Sequence, residues 1–191
     1  MVEPHEGRRA DLARALADFR PADAAELRHR QAMLQLLACP GDVFSRRHHQ
    51  PGHFTASAFV LDARGERLLL IHHAKLGRWL QPGGHVDPDD ADLAAAARRE
   101  LAEEAGLTRV DAIGSGPFDL DVHAIPALNA EPAHLHFDVR YLFRARGDAL
   151  RAGSDAKAAR WSPLEAIGPT ESDASVLRAR DKLLHRAFGH G

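Results

Sequence analysis

The chain reads as a mixed α/β (α+β) protein in which strands surround a central helix, with a helical hairpin ahead of them and one more helix at the end. Three observations predict this. Apolar residues recur at three- and four-residue steps before residue 40 and again across 92–105. Between and beyond these stretches the period drops to two in several short runs. Glycine, proline and aspartate cluster where one pattern gives way to the other. Elements of both kinds over 191 residues suit packed layers around one core, with an appendage.

The elements follow in order. Residues 9–38 are helical, with Leu12, Leu16 and Phe19 on one stripe and Leu27, Met33, Leu34, Leu36 and Leu37 in a second run. Arg20-Pro21 separates the two, Asp23 is placed to open the second helix, and Pro40-Gly41-Asp42 closes the section. Residues 1–50 thus form an N-terminal helical hairpin extension. It packs on the rest of the chain or on another subunit, and so offers a homodimer surface. Phe54–Leu61 and Arg67–His73 are strands joined by the hairpin-type segment 62–66. A short Trp79-Leu80-Gln81 stretch leads into loop 82–91. Residues 92–105 then read as helix, with Leu93, Ala97, Leu101 and Ala105 in register and Gly106 as the stop. Strands are expected over 118–125 and 134–143, a shorter one over 158–161 before Ser162-Pro163, and a last helix from Ser172 to Phe188.

Composition narrows the function. The chain is 45% hydrophobic and 27% charged, with a formal net charge of −2, which gives no general electrostatic reason to bind nucleic acid or an anionic membrane. A single cysteine, Cys39, rules out an internal disulfide framework and fits a reducing compartment, where it reads as a small hydrophobe near a helix end. The charged start leads to no signal-peptide core, and no apolar run approaches the ~20 residues that span a bilayer. The expectation is a cytoplasmic enzyme acting on a small molecule, with no membrane and no nucleic acid as partner.

The chemistry sits at the glycine turn and the helix after it. Glu100, Glu103 and Glu104 fall at i, i+3 and i+4 on one helical face. Three like charges there cost stability unless a cation neutralises them, and Mg²⁺ takes carboxylate and carbonyl oxygens while sharing its shell with substrate phosphates. Arg99 lies four residues before Glu103 and is placed to hold it. Gly83 and Gly84 let backbone approach closely, so a free carbonyl there could complete a coordination shell. Ala96 on the same face leaves room for ions. The bland alternative is a solvated helix face decorated with glutamates.

The fuller pattern resembles the Nudix box, G-x5-E-x7-R-E-U-x-E-E-x-G-U with U a bulky aliphatic. Residues 99–107, Arg-Glu-Leu-Ala-Glu-Glu-Ala-Gly-Leu, match every specified position. Trp79-x-x-Pro82-Gly83-Gly84 resembles the family's approach to the box, and Trp161-Ser162-Pro163-Leu164 fits its layout more loosely. The first half departs from the pattern: one extra residue lies between Gly84 and Arg99, and an aspartate, Asp90 or Asp92, stands where the family has glutamate. Asp92 also suits the helix N-cap. An EF-hand reading of this aspartate-rich loop fails, because Ala91 falls at its fifth position and Arg98 at its twelfth.

The resemblance covers about residues 52–190. It implies a Nudix-like α/β/α sandwich with a mixed sheet that hydrolyses the pyrophosphate bond of a nucleoside diphosphate-linked compound using Mg²⁺ or Mn²⁺. Carried over position by position, it makes Glu100, Glu103 and Glu104 metal ligands together with the Gly83 carbonyl. Glu100 would be a ligand or the base, Glu103 joins the catalytic set, and Arg99 is the orienting partner. Two rivals share the fold. A catalytically silent nucleotide-binding regulatory module has no chemical need for the intact carboxylate set. A diphosphate-ester isomerase would need a Cys/Glu acid–base pair, and Cys39 lies outside the Nudix-like region.

A second polar face is expected on the later strands. If 118–125 and 134–143 form a hairpin, Asp119, Asp121 and His123 share a face with His134, His136, Asp138 and Arg140. His123, His134, His136 and Asp138 are read there as a substrate wall or an additional metal site, with His72 and His73 as neighbours, against the alternative of a solvated outer face. Lys75 and Arg78, before the glycine turn, are candidate phosphate contacts. Trp79 and Trp161 are expected in the core.

Overall fold

A computed structural model of the chain describes residues 4–74, 76–153 and 156–188. The elements run α1 (Pro4–Asp18), α2 (Ala24–Leu37), β1 (Gly52–Leu61), β2 (Arg67–His73), β3 (Arg78–Leu80), β4 (Gly83–His85), α3 (Leu93–Ala105), β5 (Val110–Ala112), β6 (Asp119–Ile125), β7 (His134–Ala145), β8 (Ala156–Pro163), a single 3-10 turn (Leu164–Ala166) and α4 (Ala174–Phe188). This is the α+β architecture expected. Three short pieces escape the periodicity: β4, β5 and the 3-10 turn are three residues each, too few for a period to register.

The strands form one eight-stranded sheet in the order β3-β2-β1-β7-β5, with β4 paired to β1, β6 to β7 and β8 to β2. β1 lies inside this order and every one of its ten residues is buried. Its polar members, His53, Thr55 and Ser57, therefore sit in the interior rather than on a wet face. Among the described residues no helix is long and apolar enough to cross a membrane.

The chain divides into two compact units. The first comprises residues 1–57, 84–97 and 114–141. Here α2 begins at Asp23, whose side chain accepts from the Glu26 amide (2.8 Å), while the Glu26 carboxylate reaches back to the Ala22 amide (2.7 Å). This is a capping-box arrangement that satisfies donors the helix start leaves over. Glu26 is fully buried and also accepts from the Leu120 amide of β6 (3.4 Å), and the His29 ring bonds the Leu120 carbonyl (2.9 Å). The N-terminal hairpin thus packs on β6 of its own chain, with Leu16, Met33 and Leu36 fully covered. β6 and β7 pair antiparallel, as expected, with Asp119 opposite Arg140, Asp121 opposite Asp138 and His123 opposite His136.

The second unit comprises residues 58–83, 98–113 and 142–191. β2 is central to it, paired with β8 along most of its length and with β3. Leu68, Leu69, Leu70 and Ile71 form its core with Leu101, Phe143, Val176 and Ala179. Asp173 caps α4 by accepting from the Ser175 and Val176 amides, both at 2.9 Å. Trp79 and Trp161 are half-buried rather than core. The Arg160 guanidinium lies 3.9 Å from the Trp79 ring, and the Trp161 indole N–H donates to the Asp148 carbonyl. Each ring thus spends one side on a polar neighbour, which a sequence pattern does not reveal.

Candidate active site

Helix α3 carries the acidic cluster, and its two ends are fixed locally. Asp92 accepts from the Ala95 amide (2.7 Å), so it is the N-cap. Asp90, nine-tenths buried, accepts from the Asp87 amide (2.8 Å) and closes the loop upon itself; Arg8 donates to the Asp90 carbonyl. At the other end Gly106 has φ +67°, the left-handed cap that stops the helix.

The glutamates differ in their surroundings. Arg99 Nη1 donates to Glu100 Oε1 at 2.8 Å and to Glu103 Oε2 at 3.4 Å, so the guanidinium holds Glu100 more closely than the i+4 partner expected from spacing. Glu100 keeps 14% of its side chain exposed and Glu103 59%. One carboxylate is therefore pinned and the other is open to an incoming ligand. Glu104 Oε2 accepts from the Gly83 amide at 2.9 Å, which ties the helix to the glycine turn. The contact Gly83 makes with the cluster is thus through its N–H. Ala96 is fully buried, so the space expected there for ions is closed by packing.

A segment that sequence reasoning passed over completes this corner. The Arg151 and Gly153 amides donate to the Ala105 and Glu104 carbonyls, both at 2.9 Å, satisfying acceptors the helix end leaves over. A Cβ on Gly153 would stand 2.0 Å from the Glu103 carbonyl oxygen, so only glycine fits. The signal was absent because a close approach of this kind depends on a partner fifty residues earlier in the chain.

The first unit carries the second polar face, and it is buried rather than solvated. Arg140, 2% exposed, is surrounded by Asp138 (2.7 Å), Asp119 (3.2 Å) and Asp121 (3.2 Å). Burial alone would lower its pKa; the three carboxylates outweigh that and raise it, so the guanidinium stays charged. Thr55 and Ser57 of β1 also donate to Asp138. His123, more exposed, has Nδ1 3.0 Å from Asp121 Oδ2.

Beyond this network the histidines gather. His53, His134 and His136 have ring centroids 4.8–5.1 Å apart, and His85 lies 5.1 Å from His53 and 5.3 Å from His136. Burial, reinforced by the neighbouring imidazoles, pushes His136 down to about 2. Burial also pushes His53 down to about 4, with His85 as the next cause, and it lowers His85 too. Sequence alternation found His134, His136 and His123. It missed His53 and His85, which the strand pairing of a different part of the chain brings in. An open cleft of about 470 Å³ lies beside this group, with His49, Pro51, Ile125 and His134 in its wall.

Lys75 lies outside the described residues. Arg78 is exposed and donates to the Ser172 carbonyl (2.9 Å), and the His72 ring meets Trp79 edge-on at 5.2 Å.

Comparison with known proteins places this arrangement. The NUDIX domain family matches residues 51–184. No curated protein matches the chain. Among solved structures it is similar to a MutT NUDIX hydrolase from Burkholderia pseudomallei, at 25% identity over 68% of this chain and 95% of that one, with a TM-score of 0.51. A C. elegans Ap4A hydrolase binary complex is 19% identical over 71% and 98% of the two chains, TM-score 0.52. The NUDIX domain of Shewanella oneidensis NrtR complexed with ADP ribose is 19% identical over 70% and 87%, TM-score 0.52. With an unbroken Arg99-Glu100…Glu103-Glu104…Gly106 motif on the helix and a family match across most of its length, the chain belongs to the NUDIX family.

Proposed function

We propose that this protein hydrolyses the pyrophosphate bond of a nucleoside diphosphate-linked compound in a reaction that depends on Mg²⁺ or Mn²⁺. The family makes the chain a Nudix-type pyrophosphohydrolase. The observation that carries the finer reading is the unequal fixing of three carboxylates on one helical turn: Glu100 pinned by Arg99, Glu104 by the Gly83 amide, and Glu103 open. The donors on offer are all hard oxygens, which suits magnesium or manganese and not a soft metal. Glu100, Glu103 and Glu104 would hold the ion, with the Gly83 carbonyl as a further donor. When bound, such a cation supplies a Lewis acid for phosphate oxygens and lowers the pKa of a bound water.

The protein's own groups do the rest. Arg99 keeps the Glu100 carboxylate oriented, so that it can hold a ligand or take a proton from attacking water. Glu103, half in solvent, can swing to meet an incoming cation. Among the histidine-face residues His123 is the most exposed substrate contact, while Asp138, saturated by Ser57, Thr55 and Arg140, supports that face from beneath. His134 and His136 belong to the buried cluster, and Arg78 and Lys75 are candidate phosphate contacts before the turn. The substrate class is supported by two neighbours of this fold, one described as an Ap4A hydrolase and one as a NUDIX domain complexed with ADP ribose.

The test is a panel of dinucleoside polyphosphates, nucleotide sugars, ADP-ribose and nucleoside triphosphates, assayed with Mg²⁺ and Mn²⁺, with products identified by mass and ¹⁸O-water locating the attacked phosphorus. In Glu104→Gln the amide oxygen can still accept from Gly83, so the fold survives while a charged ligand is lost. We expect kcat to fall by at least ~100-fold, equal to about 2.7 kcal/mol of transition-state stabilisation. Full activity in a folded Glu104→Gln protein counts against the reading, and tight binding without turnover of any panel member makes the chain a binding module.

A further inference from the structure

We infer that His53, His134 and His136 form a second metal site, specific for a borderline cation such as Zn²⁺ and chemically separate from the carboxylates of α3. One ring nitrogen from each of the three lies within 4.8 Å of the others. Three donors around one tetrahedral zinc, each at ~2.0–2.1 Å, stand ~3.4 Å apart, a contraction that ring rotation can supply.

The hydrogen bonds decide which nitrogens face inward. His53 Nδ1 lies 3.3 Å from the His48 carbonyl, and His134 Nδ1 lies 2.8 Å from the Pro132 carbonyl. A carbonyl only accepts, so each Nδ1 carries the proton and each Nε2 presents a bare lone pair. Both Nε2 atoms are buried and meet no hydrogen-bond partner among the described residues, and the two histidines are 0% and 5% exposed. A core histidine that served packing alone would have both nitrogens paired, because an unsatisfied buried acceptor is costly. Here the backbone carbonyls play the part of the outer partners that orient metal-bound imidazoles and raise their basicity.

The backbone explains why the three rings meet. His134 and His136 are two apart on β7 and share a face, while the Leu135 amide between them donates to the Pro51 carbonyl, which seats the start of β1 and hence His53 alongside. The donor set is nitrogen only. It disfavours Mg²⁺, which wants oxygen, and with no thiolate it favours zinc over copper(I). Three protein ligands leave one coordination position for water, and an open cleft lies alongside with His134 in its wall. A second group, His49, Glu131 and His134, shares one histidine with the first but leaves the His53 lone pair unused.

The experiment uses the full chain without a histidine tag, stripped with chelator and titrated with Co²⁺ and Zn²⁺. With excess Mg²⁺ present to compete for the α3 carboxylates, we expect one tightly bound ion per chain, a Co²⁺ visible spectrum of four-coordinate intensity, and a rise in Tm that Mg²⁺ alone does not reproduce. His53→Asn and His136→Gln should each weaken binding by at least ~100-fold. Glu131→Gln should leave it unchanged, and so should Glu104→Gln, which separates this site from the hydrolytic one. Absence of stoichiometric binding overturns the inference, as does unaltered binding in the His53→Asn/His136→Gln double variant or loss of binding in Glu131→Gln alone. Should a histidine variant fail to fold, ¹⁵N shifts of the ring nitrogens in the wild-type chain decide: zinc-dependent movement at Nε2 of His53 and His134 upholds the site, and unmoved signals refute it.

Discussion

At the scale of single residues, Asp62 shows how local donors outweigh burial. The carboxylate is fully buried, which alone would raise its pKa. Arg67 Nε at 2.7 Å and the amides of Arg67 (3.1 Å) and Glu66 (2.9 Å) more than compensate, holding it below its ordinary 3.8. The unfolded chain therefore takes up this proton more readily than the folded one. The stabilisation is complete well above the ordinary value and is lost as pH falls through it toward the lower folded value. Asp62→Asn should cost about 1–3 kcal/mol at neutral pH. The cost should shrink as pH falls below 3.8, where the carboxyl of the unfolded chain takes up its proton first and that of the folded chain follows at lower pH. Urea unfolding at pH 7 and below pH 4 reads both; equal losses at the two would mean that Asp62 is not held as an anion. None of this was legible beforehand, since 62–66 read only as a connecting turn.

At the scale of elements, α3 is the clearest case of a sequence speaking for itself. Its N-cap Asp92, its apolar stripe, its stop at Gly106 and its Arg99-Glu100…Glu103-Glu104 set all lie within one contiguous stretch and need only helical geometry to be read. The cover on its C-terminal turn was not readable. Gly153→Ala should be costly because the added methyl meets the Glu103 carbonyl at 2.0 Å and both partners are backbone. We expect at least ~2 kcal/mol lost and a matching drop in hydrolysis, since the same displacement moves Glu103 and Glu104. Thermal unfolding with parallel kinetics checks this, and a variant with unchanged Tm and turnover would show that the segment yields freely. The β6–β7 hairpin was half readable: alternation gave the shared face, and the register put Asp119 against Arg140, but nothing local said that the face is covered.

At the scale of the whole molecule, the N-terminal hairpin belongs to the folded unit that contains β6 and residues 134–141 of β7. Glu26, His29, Leu16, Met33 and Leu36 bind or cover their surroundings there, so the helices are part of a core and not an optional appendage. Deleting residues 4–37 should leave the remainder prone to aggregation, read as lost soluble yield and lost cooperative unfolding. A well-folded, monomeric truncated protein with native Tm would refute this. The sequence by itself determined the order of the longer elements, the caps at Asp23, Asp92 and Gly106, the acidic helix and the resemblance to the Nudix family. These depend on neighbours within one or two turns, where spacing dictates geometry. Only the tertiary structure decided that much of a histidine- and aspartate-rich strand face is interior, that Arg140 stands among three carboxylates, and that His53 comes to stand beside His134 and His136. Those outcomes rest on pairings between residues 21 positions apart, as for Arg140 and Asp119, and 81 apart, as for Ser57 and Asp138, and burial there turns ordinary polar side chains into held charges and bare lone pairs.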